Sequence, residues 1–174
     1  MVCRFGNTVG MPREPDPFGI DYASELLHCF EGEVAGAAYF AALAAWHDGL
    51  GRDALQRFSE VERITAAALH PIVQRRGLVA ADAEELRRRG EANAASERAL
   101  TWDGLVGEMC EHYPRYVLEF ERLLTITPVE DRAAVQLLVD HEAALAAAAD
   151  RLRSGSTDAL APVEQFIASA RPSS

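Results

Sequence analysis

Apolar residues recur at intervals of three and four along four separate stretches of this chain, and that spacing limits what it can fold into more than any other feature. Leu26, Phe30, Val34, Ala37, Ala41 and Ala44 form one stripe, and Leu55, Phe58, Val61, Leu69 and Val73 form a second. Met109, Tyr116 and Leu123 mark a third; Ala134, Leu138, Leu145, Ala148 and Leu152 make the fourth. At ~100° per residue, each set falls on one side of an α-helix. Two-residue alternation of β-branched and aromatic residues is nowhere sustained, and alanine, the strongest helix former, stands in blocks such as Ala146 to Ala149. The expected class is all-α, and 174 residues suffice for one domain with a substantial core.

Capping and turn residues set the boundaries. Residues 1–20, with Pro12, Pro15 and Pro17, read as an irregular N-terminal leader, followed by a single helical domain over 21–174. Asp21 caps a first helix over 21–47, which His47-Asp48-Gly49 ends. A second helix over 53–76 closes on Arg75-Arg76-Gly77, with a kink predicted at Pro71. Residues 78–100 form a polar, alanine-rich connection with a short helix around Asp82 to Arg89. Thr101 caps a third helix over 102–125, bent at Pro114. Thr127-Pro128 opens a fourth over 128–153, with Glu130 and Asp131 in its first turn, and a short last helix spans 161–170.

Several functions are excluded or disfavoured by composition. The net charge is −10, which opposes nucleic-acid binding, a process that rests on a positive field. All 17 basic residues are arginine, so Schiff-base chemistry and a phosphate-loop lysine are ruled out. The run Arg87-Arg88-Arg89 faces Glu84, Glu85 and Glu91 and reads as a solvated surface. Cys3, Cys29 and Cys110 are scattered and odd in number, which suits reduced thiols and a cytoplasmic location. No apolar run approaches the ~18 residues that a membrane span needs, so no membrane is expected as a partner.

Two tight hairpins, the first helix with the second and the third with the fourth, joined by one long crossover, are the connectivity of ferritin-like bundles. The segment Gly32-Glu33-Val34-Ala35-Gly36-Ala37-Ala38-Tyr39-Phe40 resembles the first helix of rubrerythrin-type and other ferritin-like proteins. Leu138-Val139-Asp140-His141-Glu142-Ala143-Ala144-Leu145 resembles the fourth helix of many small bacterial members, and the likeness extends over about residues 22–153. It implies a ferritin-like four-helix bundle of two antiparallel hairpins with a short C-terminal helix. It further implies a di-iron or di-manganese centre, for which the first and third helices each give one Glu and the second and fourth each give Glu-x-x-His.

The chain departs from that pattern. Glu62 is followed at the third position by Thr65, and Glu142 by Leu145, so both expected imidazoles are missing. The inward polar residues are Glu33 at the edge of the first stripe, Glu62 within the second, His112 beside the third, and His141 with Glu142 on the fourth. Counted from the hairpin turns at ~1.5 Å per residue, they fall near mid-bundle. Glu33, Glu62, His112, His141 and Glu142 are therefore the candidate ligands for iron or manganese, the competing reading being a hydrogen-bonded cluster such as Glu62–His141. His28 and Glu31 are expected as a solvated pair. The functional expectation is a diverged ferritin-like protein with an altered or lost di-metal site. It would act as a small helical binding or accessory module that associates through helix faces with itself or a partner protein. The alternative is a metal-dependent oxidase or oxygenase with a rearranged Glu/His site and an unnamed small-molecule substrate.

Overall fold

The computed structural model describes residues 21–170, and the leader expected over residues 1–20 lies outside them. The described residues form six α-helices and no strand: α1 (Tyr22–Ala44), α2 (Gly49–Arg75), α3 (Ala83–Ser96), α4 (Trp102–Thr125), α5 (Arg132–Arg153) and α6 (Ala161–Ala170). The all-α expectation holds, and no helix is long and apolar enough to cross a membrane. Caps explain several boundaries. The Asp21 side chain accepts from the Ala23 N–H, Asp82 from the Glu84 N–H and Thr101 from the Gly104 N–H, each satisfying a donor that the first helical turn leaves open. Gly77 and Gly155 take positive φ angles of 65° and 70° just beyond α2 and α5, a conformation that suits glycine after a helix end.

Four boundaries differ from the sequence expectation, the first being the end of α1 at Ala44 rather than at residue 47. α2 begins at Gly49 rather than near residue 53, because Asp48, not Asp53, precedes the first helical residue. α3 runs on to Ser96, well past residue 89, because its small residues Gly90 and Ala94 pack against the rest of the fold. α5 begins at Arg132 rather than at Pro128: residues 128–131 form a turn closed by the Asp131 N–H donating to the Pro128 carbonyl at 3.0 Å.

α1 pairs with α2 and α4 with α5, and α2 and α5 carry most of the contact between the two pairs, with α6 packed across both. α1 scarcely meets α4; its other flank is covered by α3. Gly90 permits that cover, since a β-carbon there would run into the Ala35 carbonyl and sit 2.9 Å from the Ala38 side chain. Val34 and Ala41, placed on the first apolar stripe by spacing, are not buried, whereas Ala35 and Tyr39 are. α1 is apolar almost all round, so its periodicity could not say which sides would be covered.

The core falls into two apolar clusters. One contains Phe40, Leu43, Leu55, Phe58, Leu105, Leu145 and Phe166; the other contains Leu26, Phe30, Leu69, Ile72, Leu123, Val135 and Leu138. On α1, α2 and α5, the residues lying between the two clusters along the chain include Glu33, Glu62 and Thr65, and His141 with Glu142, all buried.

A fourth buried acid, Asp131, holds the helix ends together. Asp131 is 1% exposed, yet it accepts from Arg75, from Arg76 Nε at 2.8 Å and from the Tyr22 hydroxyl at 3.0 Å, thereby joining the start of α1, the end of α2 and the start of α5. Burial alone would raise its pKa; the hydrogen bonds from Arg76 and Tyr22, together with the guanidinium charge, outweigh that and hold it below the usual carboxylate range. A lowered native pKa means that this stabilisation is complete above the unfolded value of about 3.9 and is lost as the pH falls through the native one. Asp131→Asn is therefore expected to cost about 2 kcal/mol at pH 7, discounted from the ~3–5 kcal/mol of a fully buried pair because Arg75 is half exposed. Urea melts measure it, and an unchanged midpoint would show the clasp to be idle.

Candidate metal centre

Glu33 comes from the middle of α1, Glu62 from the middle of α2, and His141 with Glu142 from the middle of α5. One donor atom each of Glu33, Glu62 and His141 lies within 4.8 Å of the others, close enough to share a single ion. Gly36, one turn beyond Glu33, makes room for this: a β-carbon there would lie 2.6 Å from Glu62 Oε2, so the Glu62 carboxylate rests directly on the α1 backbone.

His141 is fixed in one orientation. Its Nδ1 donates to the Leu138 carbonyl one turn earlier, and its ring stacks on Phe120 at 5.9 Å with Phe166 at 6.3 Å. The other nitrogen, Nε2, faces Glu33 Oε2 at 3.3 Å and Glu142 Oε2 at 3.4 Å. Burial pushes the imidazole pKa down to about 4, so the ring is neutral at pH 7 and Nε2 presents a lone pair. Burial, followed by the charges of Glu62 and Glu119, drives the Glu142 pKa well above the carboxylate range. A lone pair set against buried carboxylate oxygens is repulsive until a proton or a cation lies between them. A neutral imidazole oriented by a backbone carbonyl and flanked by carboxylates is a donor set that fits a divalent ion.

The positions that lack the expected imidazoles make no substitute for them. Thr65 is fully buried, but its hydroxyl donates to the Val61 carbonyl of its own helix at 2.8 Å, and Leu145 packs in the apolar core. His112 does not join the group. It sits half-exposed on α4 with Nε2 3.0 Å from Glu108 Oε2. Glu31, expected to pair with His28 in solvent, instead accepts from the Ala81 N–H at 2.8 Å and from Arg89 at 3.4 Å, tying α1 to the crossover and to α3.

Where α1 and α4 fail to meet, a cavity of about 340 Å³ opens, with Glu33, Glu62 and Glu142 on its lining. Gly32 and Gly36 face it from α1, and Gly32 has nothing within 4 Å of where a β-carbon would stand. His28, His112, Tyr113 and Glu119 also reach it. Burial, followed by the charge of Glu142, raises the Tyr113 pKa well above its ordinary value, so a protonated phenol stands beside the carboxylates. Sequence reasoning passed over Glu119, and read Tyr113 as an aromatic core residue that could also stand near a redox metal. The signal was present on α4, where Glu108, His112, Tyr116 and Glu119 follow one another at helical spacing on the side away from α5.

No protein-family model, curated protein or solved structure matches the chain.

The protonation of the metal-free centre is testable. Above pH ~7.5, His141 is neutral in both folded and unfolded chains. The raised Glu142 pKa then makes the folded state bind more protons than the unfolded one, so stability is lost as the pH rises through the native value. In chelator-treated protein, the urea midpoint is expected to fall as the pH rises above ~7.5, and Glu142→Gln to flatten that slope. A slope unaltered by the substitution would place the proton elsewhere.

Proposed function

We propose that the chain is a diverged ferritin-like four-helix-bundle protein whose centre holds a single divalent ion, iron or manganese, in place of a pair. The helix pairing and the crossover carrying α3 support the bundle reading, as does the supply of carboxylates from α1 and α2 and of a His-Glu pair from α5. The observation that carries the metal reading is His141 Nε2, a buried lone pair directed at Glu33 and Glu142 with its other nitrogen already committed to Leu138. Glu33, Glu62 and His141 are the ligands, and Glu142 flanks them. Two carboxylates and one imidazole form a mixed oxygen–nitrogen set suited to Mn²⁺ and Fe²⁺. The missing imidazoles at Thr65 and Leu145 favour one ion over two.

On this reading the protein is a small metal-binding module. The oxidase or oxygenase alternative draws on a separate observation, the cavity that brings the ligands into reach of a small molecule. An ion held there supplies Lewis-acid polarisation and, as iron or manganese, a one-electron redox couple.

Titration of chelator-stripped protein with Mn²⁺, or with Fe²⁺ in the absence of oxygen, is expected to saturate at one ion per chain. At a hundredfold excess over the dissociation constant, binding stabilises by ~2.7 kcal/mol, which for a chain of this size raises Tm by roughly 5–10 °C. Glu62→Gln and His141→Gln are each expected to abolish that rise while the chain remains helical. Two tightly held ions per chain would restore the dinuclear reading, and no rise with either ion would end the metal reading.

A further inference from the structure

The cavity between α1 and α4 is chemically one-sided. Its walls are apolar and aromatic, with Met109, Leu123, Phe120, Tyr113 and Tyr116 among them, the two tyrosine rings meeting edge-on at 6.1 Å. The charged groups that reach it are carboxylates from every surrounding element: Glu25 on α1, Glu97 at the end of α3, and Glu108 and Glu119 on α4. The arginine that lines it, Arg115, is engaged with the wall. Its guanidinium lies over the Tyr116 ring, 4.9 Å from the centroid, and donates to the Tyr116 hydroxyl at 3.1 Å. Glu142, 6% exposed and 3.4 Å from His141 Nε2, also lines the cavity and adds a further acid to its wall.

We infer that this cavity binds an organic cation, a protonated amine carried on a hydrocarbon or aromatic body. Aromatic faces attract such a cation through their quadrupoles, and carboxylates accept its N–H hydrogens. The apolar wall takes the body of the molecule, and a volume of about 340 Å³ lies at the small end of ligand pockets. The net charge of −10 draws cations toward the protein and repels anions. This goes beyond the metal reading: an ion held by Glu33, Glu62 and His141 does not reach Glu119, nor Glu97 and Glu108, which accept from the Tyr39 hydroxyl and face His112 respectively.

Isothermal titration of the full chain with phenethylamine, 2-phenylethanol and phenylacetate compares probes of nearly equal size that are positive, neutral and negative. Each is run on metal-stripped and on Mn²⁺-treated protein. The amine is expected to bind about tenfold tighter than the alcohol, with phenylacetate weakest and the amine affinity falling as salt is added. Glu119→Gln, at an exposed position the core does not use, is expected to weaken the amine roughly fivefold and leave the alcohol unchanged. Gly32→Phe, whose side chain enters open space, blocks the cavity without disturbing the fold and removes binding of every probe. Tightest binding by phenylacetate, equal affinity for amine and alcohol, no binding of any probe, or amine binding that survives Gly32→Phe overturns the inference. Amine preference without Mn²⁺ uptake defeats the metal reading alone, and Mn²⁺ uptake without amine preference defeats this one alone.

Discussion

Buried negative charge needs compensation, and that requirement organises the middle of this protein. Glu33, Glu62 and Glu142 converge on one neutral imidazole that can donate only from the nitrogen already given to Leu138. Moving a carboxylate out of water costs several kcal/mol per ion unless something offsets it. No lysine exists in the chain to do so, and the arginines with buried acidic partners, Arg75 and Arg76, are engaged with Asp131 at the helix ends. Burial favours a proton on Glu142, and a divalent ion held beside it would disfavour that proton, so the two forms of compensation compete.

The same polar layer explains the open side of the fold. The apolar clusters above and below it pull the helices together, whereas carboxylates facing one another across α1 and α4 do not. Gly32 and Gly36 would allow a close helix approach, the usual consequence of small residues four apart, yet α4 does not fill the space. Gly36 instead accommodates Glu62, and Gly32 faces the cavity. α1 buries its remaining apolar surface against α3, which is why the crossover is a long helix closely packed at Gly90 rather than a loose connection.

Much of this was legible in the residues, and what was not has definite causes. α2, α4 and α5 show apolar stripes with polar opposite faces, so both their existence and their inward residues could be read, Glu62 and His141 included. α1 lacks such contrast, which misplaced Val34 and Ala41. Pro128 looked like a helix opener, but Asp131 gains three side-chain donors by standing just ahead of the helix, and that long-range gain decided the boundary. His112 was placed with the centre on its angle and its depth along the helix, but its reach to the other acids depended on how far α4 stands off from α1, and no spacing rule encodes that.

α4 lies along α5 and is also tied to the first hairpin at its two ends. Trp102 at the start of α4 packs against Gly51, where a β-carbon would come within 3.2 Å of the indole, and meets His47 edge-on at 5.8 Å. Beyond its other end, Thr127 is buried with its hydroxyl on the Leu123 carbonyl at 2.7 Å, and the chain passes directly into the Asp131 clasp on Tyr22, Arg75 and Arg76. The helix is thus pinned to the first hairpin at both ends and free of α1 between them. That arrangement leaves the acidic lining apart and separates the residues that tie the helices together from those that line the cavity.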